Sequence, residues 1–155
     1  MTIDETSLTH VLDRLAIEAV LVRYATLIDT KQFDGLREVF SADAVVDYTS
    51  AGGIKGSLAE VSVWLAKVLA PFTVVQHLVA NFVIEIDGDR ARSVCYFHNP
   101  MRLSGPDGTI SIFWCGGRYL DELVRTSEGW RICDRIDEVQ YLHGGPDSPR
   151  VSRPD

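Results

Sequence analysis

The sequence predicts an α+β domain, with three N-terminal helices laid on a curved antiparallel sheet and one pocket enclosed between the two layers. Two observations carry this. Through residue 28, and again in two shorter segments, apolar residues recur every three or four positions, which is helical spacing. From residue 72 onward the period becomes two, and turn signals punctuate it at Asp87-Gly88, at residues 104–108 and at residues 126–129. With 155 residues the chain can bury one sizeable core, read here as a single domain over residues 1–143 with a loose tail over 144–155 that is rich in Pro, Gly and Ser.

The first and longest helix is expected over residues 8–28. Ile17, Val20, Leu21, Tyr24, Leu27 and Ile28 share its apolar face, Leu8, Val11, Leu12 and Leu15 extend that face, and Thr6 or Ser7 caps its start. A shorter helix over residues 33–40 places Phe33, Leu36, Val39 and Phe40 on one side. Residues 44–48 read as a strand and residues 50–53 as a loop. Ser57 caps a third helix that runs to Leu69 and stops before Pro71.

Residues 72–86 then alternate as one strand, with Val74, Leu78, Ala80, Phe82, Ile84 and Ile86 on one face and Val75, His77, Val79, Asn81, Val83 and Glu85 on the other. Strands over residues 90–103, 109–124 and 130–143 follow as successive hairpins, with Gly116-Gly117 as a bulge.

Composition narrows the function. The formal net charge of −7 works against a nucleic-acid backbone, which is bound largely through lysine and arginine. No apolar run is long enough for a bilayer, and the N-terminus lacks the pattern of a signal peptide, so a cytoplasmic location is expected. Cys95, Cys115 and Cys133 lie far apart in expected strands, without metal-ligand spacing, and read as buried apolar residues in a reduced compartment. There is no nucleophile elbow, phosphate loop, dinucleotide glycine fingerprint or H-E-x-x-H, so neither a cofactor nor a metal is expected.

Polar residues facing an enclosed cavity are the candidates for chemistry. Asp29 falls at the end of the first helix, where the dipole disfavours a carboxylate, so it calls for a partner. A histidine is the natural one, and His77 is the choice: a carboxylate on one ring nitrogen fixes the tautomer and leaves the other as a base. The same two residues also read as a strand histidine bonded to backbone and a solvated helix end. Tyr24 and Tyr48 are candidate phenolic donors or core aromatics, and His98 is a candidate second acid or a cap at the sheet edge. Asn81, Met101, Phe113 and Trp114 are candidate substrate contacts. Arg102 and Arg118 are of a type that binds an anionic group, but a solvated strand face is the commoner explanation for a strand arginine, and they are left out of the site.

On the segments RYATLID, FDGLREVFSADAVVDY, QHLVANFVIEIDGDRARS and GGRYLDELVRTSEGWRI, the chain resembles the SnoaL-like branch of the nuclear transport factor two-like superfamily over nearly its full length. That resemblance implies a cone-shaped sheet. Within the branch the chain is similar to scytalone dehydratase, bile-acid 7α-dehydratase and hexachlorocyclohexane dehydrochlorinase, lyases that need no cofactor. Their aspartate and histidine fall on Asp29 and His77, the helix tyrosine of the bile-acid enzyme on Tyr24, and the strand tyrosine of scytalone dehydratase on Tyr48. Ile28 stands where scytalone dehydratase has a further tyrosine, and the second histidine of that enzyme falls near His98 out of register. Ketosteroid isomerase belongs to the same superfamily, but its base aligns with Tyr48, and Asp47 is expected on the opposite face of the strand.

The reading is therefore a dehydratase-like lyase acting on a small hydrophobic or polycyclic molecule through Asp29 and His77, assembled as a homodimer or larger homo-oligomer. The alternatives are a SnoaL-type cyclase or isomerase, and a non-catalytic subunit that binds a hydrophobic ligand or scaffolds a partner.

Overall fold

A computed structural model describes residues 5–105 and 107–144, with side chains from residue 7 onward. The expected tail over 144–155 lies, apart from Gly144, outside the described residues. Helix α1 (Glu5–Asp29) buries Ile17, Leu21, Tyr24, Leu27 and Ile28, as their spacing requires. Thr6 and Ser7 lie inside this helix, so neither caps it.

The buried stripe continues toward the N-terminus through Asp13 rather than through leucines. Asp13 holds the Arg125 guanidinium with both oxygens, at 2.6 and 2.7 Å, and accepts from the Trp130 indole at 3.1 Å. Leu8, Val11, Leu12 and Leu15 are exposed. At about 100° per residue they fall on the far side of the helix from Ile17, so they do not extend the face.

The second helical segment is a 3₁₀ turn, Phe33–Glu38, and Phe40 already belongs to strand β1 (Phe40–Asp47). A short 3₁₀ turn, Thr49–Ala51, and a strand that the sequence did not announce, β2 (Lys55–Ser57), precede α2 (Leu58–Leu69). Ser57 caps α2 as expected. Its hydroxyl accepts from the Glu60 N–H while the Glu60 carboxylate takes the Ser57 N–H, and Val61, Leu65 and Leu69 are buried.

Among the described residues the sheet has seven strands in the order β2-β1-β7-β6-β5-β3, with β4 also pairing β5. Strands β4 (Leu78–Asp87), β5 (Arg90–Ser104), β6 (Ile110–Thr126) and β7 (Gly129–His143) form the antiparallel meander expected, and β1 closes onto β7 in parallel. The curled sheet and its N-terminal helices make an α+β cone.

The single strand expected over residues 72–86 is two strands, because β3 (Phe72–Val75) ends before Gln76 and His77. The Gln76 N–H reaches the Pro100 carbonyl at 3.2 Å, but Pro100 has no N–H to return, and the ladder breaks. A second irregularity follows in β4. Ala80 pairs Tyr96 and Val83 pairs Val94, which leaves one residue too many; Asn81 takes it up with φ +56°. The inward face therefore passes from Val75, His77 and Val79 to Phe82, Ile84 and Ile86, while Leu78, Ala80 and Asn81 are exposed. The expected alternation inverts at this bulge.

The register shifts at Gly116-Gly117, with Gly116 opposite Tyr141 and Gly117 opposite Val139, but the additional residue is Gln140 of β7, not one of the glycines of β6. A Cβ at Gly117 would lie 2.1 Å from the Glu138 carbonyl oxygen, so only glycine fits there. Among the described residues no helix is long and apolar enough to cross a membrane.

Candidate active site

A cavity of about 310 Å³ opens between the helices and the concave face of the sheet. Tyr24 and Ile28 reach it from α1, and Trp64, Leu65 and Val68 from α2. The sheet contributes His77, Phe97, Asn99, Met101, Phe113, Cys115, Tyr119 and Asp137. Its wall is mostly aromatic and aliphatic with a few converging polar groups, the usual make-up of a small-molecule site.

Asp29 and His77 meet at the cavity wall. The Asp29 carboxylate lies 2.6 Å from His77 Nδ1 and also accepts the His77 main-chain N–H at 2.9 and 3.0 Å. The break between β3 and β4 makes this arrangement possible, since a main-chain N–H without a ladder partner is free to be donated to the end of α1. The His77 side chain is only 4% exposed and that of Asp29 24%. With a carboxylate on Nδ1 the ring carries its proton there, and Nε2 is left as the basic nitrogen.

Tyr24 and Tyr48 share a hydrogen bond of 2.5 Å between their hydroxyls, and both rings are buried on the cavity wall. Burial is the largest influence on both phenols and on Tyr119 beside them, and it pushes all three up, against the opposing pull of the Arg135 charge on each. They stay protonated as donors. The Arg135 guanidinium lies 4.0 Å from the Tyr24 ring centroid and 4.3 Å from that of Tyr119.

Three expected site residues lie elsewhere. Asn81 is the exposed bulge residue of β4. Trp114 neighbours Phe113 on β6, and adjacent strand residues point to opposite faces; Phe113 lines the cavity, so Trp114 lies on the outside, 38% exposed. His98 is on that same outer face, where Nδ1 lies 2.6 Å from the Tyr141 hydroxyl and the ring packs on Trp114 at 5.3 Å. It does not line the cavity. Met101 and Phe113 do. Asp47 points away from the cavity, bonded to Thr49 and paired with Lys55 at 3.3 Å.

Sequence reasoning missed Asn99, Tyr119, Arg135 and Asp137. Asn99 Oδ1 and Asp137 Oδ1 are buried without a hydrogen-bond partner among the described residues. Burial raises the Asp137 carboxyl to about 7, with the Arg135 charge opposing and Asp47 adding to the rise. Cys115 also reaches the cavity, but burial pushes its thiol up to about 12, which keeps it from acting as a thiolate. A signal for the charged pair does exist in the sequence. Asp121 falls two residues from both Tyr119 and Leu123 on an inward stripe, and a carboxylate there demands a buried cation from the next strand.

Comparison with known proteins agrees with this architecture. The model of the SnoaL-like domain matches residues 9–136. A relative in Mycobacterium tuberculosis, itself uncharacterized, is 40% identical over 131 residues, covering 84% of this chain and 88% of its own. Among solved structures, the hexachlorocyclohexane dehydrochlorinase LinA-type3 from Novosphingobium barchaimii superposes with a TM-score of 0.75 at 17% identity, over 94% of this chain and 99% of the other. A scytalone dehydratase-like protein from Novosphingobium aromaticivorans gives 0.68 at 18% identity, over 88% of this chain and 86% of its own.

Proposed function

We propose that this chain, which belongs to the SnoaL-like domain family, is a lyase that removes water from a small, largely apolar substrate. The observation that carries the reading is the 2.6 Å contact between Asp29 and His77 Nδ1 at the wall of an apolar cavity. The structural neighbours named for dehydratase and dehydrochlorinase activity have the same fold and lend it support.

In this mechanism His77 Nε2 takes a proton from a carbon next to a carbonyl or similar activating group. Asp29 holds the ring in the tautomer that leaves Nε2 free and stabilises the imidazolium that forms. Of the paired hydroxyls of Tyr24 and Tyr48 one donates to the other, and the second is left to donate to the oxygen on which negative charge develops. The new carbon–carbon double bond then expels the β substituent. A cavity of about 310 Å³ suits a molecule of one or two rings.

The test is elimination from β-hydroxyketones and β-haloketones bearing an aromatic ring, followed by the absorbance of the conjugated product. His77→Ala is expected to lose about a hundred- to ten-thousandfold in rate while keeping its fold. Full turnover by His77→Ala would overturn the mechanism.

A further inference from the structure

The cavity holds a second carboxyl that the Asp29–His77 pair does not use. Asp137 lies on β7, opposite Tyr119 of β6, and lines the cavity as a residue only 7% exposed. Its Oδ1 is buried and has no hydrogen-bond partner among the described residues. The cation nearest to it in sequence is bonded elsewhere: Arg135 gives Nε and Nη2 to the two oxygens of Asp121 at 2.7 Å each, and its buried Nη1 makes no hydrogen bond to Asp137 or to any other described residue. Two buried aspartates thus face one arginine, and the arginine is bonded to the other one. A buried carboxylate without a partner is costly, so such a group holds its proton.

The remaining neighbours do not change this. Tyr24 of α1, Tyr119 and Cys115 of β6 and Tyr48 after β1 are all neutral, and Asp47 of β1 adds a like charge. The rise of the carboxyl to about 7 agrees with that geometry.

We propose that Asp137 is the general acid of the site, delivering its proton to the hydroxyl oxygen that leaves the substrate. The inference rests on the lyase reading above and deepens it by assigning the leaving group. His77 and Asp137 stand on opposite flanks of the concave face, His77 at the break beside β5 and Asp137 on β7, so a substrate between them is touched by a base on one side and an acid on the other. In the step, His77 takes the proton from carbon and that electron pair forms the double bond. The carbon–oxygen bond breaks, and the departing hydroxyl takes the Asp137 proton and leaves as water. Imidazolium and carboxylate remain and return to their starting states by proton exchange with solvent. A halide leaves without a proton, so the acid matters only for an oxygen leaving group.

Two measurements test this. The first needs no substrate: the carboxyl carbon of Asp137 is titrated by NMR in protein labelled at aspartate, with its signal identified by its loss in Asp137→Asn. A midpoint near 7 supports the assignment, and a group already ionised at about pH 5 overturns it. The second compares the β-hydroxyketone formed from benzaldehyde and acetone with its β-chloro counterpart, both of which eliminate to benzylideneacetone. Asp137→Asn is expected to slow loss of water about a hundredfold or more and to leave loss of chloride within a few-fold, whereas His77→Ala slows both. Equal slowing of the two by Asp137→Asn, or of neither, overturns the acid role and leaves the base reading standing. If His77→Ala slows neither, or wild type consumes neither ketone, the lyase reading is the one that fails, and the titration alone decides whether Asp137 is a proton donor.

Discussion

The Asp121 carboxylate accepts two hydrogen bonds from the Arg135 guanidinium, through Nε and Nη2, and neither side chain is exposed to solvent. The two residues are directly opposite on β6 and β7, beneath the rings of Tyr24 and Tyr119. They form the charged floor on which the tyrosines of the cavity rest. Removing one partner strands the other charge in the core, so Asp121→Leu is expected to cost about 3–5 kcal/mol. Replacing both, as Asp121→Leu with Arg135→Met, is expected to recover most of that loss. Urea unfolding of the two variants checks it, and a double variant as unstable as the single one would mean that the pair does more than balance charge.

The Asp29 contact is expected to set the tautomer of His77. In wild type the ring proton is expected on Nδ1, and in Asp29→Asn that preference weakens because a neutral amide no longer favours a donor on Nδ1. Nitrogen chemical shifts of the His77 ring in the two proteins read this directly. The main-chain N–H of His77 keeps the amide oxygen as an acceptor, so the fold survives the change. An identical ring in both proteins would mean that the 2.6 Å contact does not govern the base.

Tyr24 and Tyr48 act as one unit, since the hydroxyl of each is bonded to the other. In the mechanism proposed above Tyr48→Phe removes a donor to the developing charge, and a loss of about a hundred- to a thousandfold in kcat is expected. The double variant Tyr24→Phe with Tyr48→Phe is expected to lose little more than either single one, because a shared function can be lost only once. Multiplying losses would argue for two separate roles.

Much of the fold was legible because its signals are local. Ser57 with Glu60 marks the start of α2, the spacing of Ile17, Leu21, Tyr24 and Ile28 marks the buried face of α1, and the paired glycines mark where the register of β6 against β7 shifts. What failed were inferences carried past a bulge. Asn81 reads as inward-facing only if β4 is regular, and one additional residue turns it outward. In β7 an extra residue between Ile132 and Asp134 does the reverse. Read on from Trp130 and Ile132, the alternation puts Asp134 and Ile136 inside, whereas Arg135 and Asp137 are buried and Ile136 is 45% exposed. The inward placement of Asp137 was thus illegible for the same physical reason that the misplaced asparagine was persuasive, and Arg135 was legible only through the demand of Asp121 for a buried cation. The contact of Asp29 with His77 was anticipated from chemistry, since a carboxylate at a helix C-terminus needs a partner, together with the resemblance to lyases whose aspartate and histidine fall on these two positions.

The buried Asp137 also leaves a mark on stability against pH. Its carboxyl titrates near 7 in the folded chain and near its ordinary 3.8 when unfolded, so between those values the folded state holds a proton that the unfolded state has released. The stability contributed by this group is complete below its unfolded value and is lost as pH rises through 7. Asp13, held low first of all by its bond to Arg125, and Asp47, held low by Thr49, act in the opposite sense, contributing at neutral pH and losing that contribution in acid. The overall curve mixes these, but the difference between wild type and Asp137→Asn isolates the one group. From about pH 5 to about pH 7 the asparagine variant is expected to gain steadily on wild type, by roughly 3 kcal/mol, and the difference then levels off toward about pH 8. Urea midpoints measured across that range decide it. A constant difference would mean that Asp137 ionises in the folded chain as readily as in the unfolded one, and the cavity would then hold a carboxylate with no proton to give.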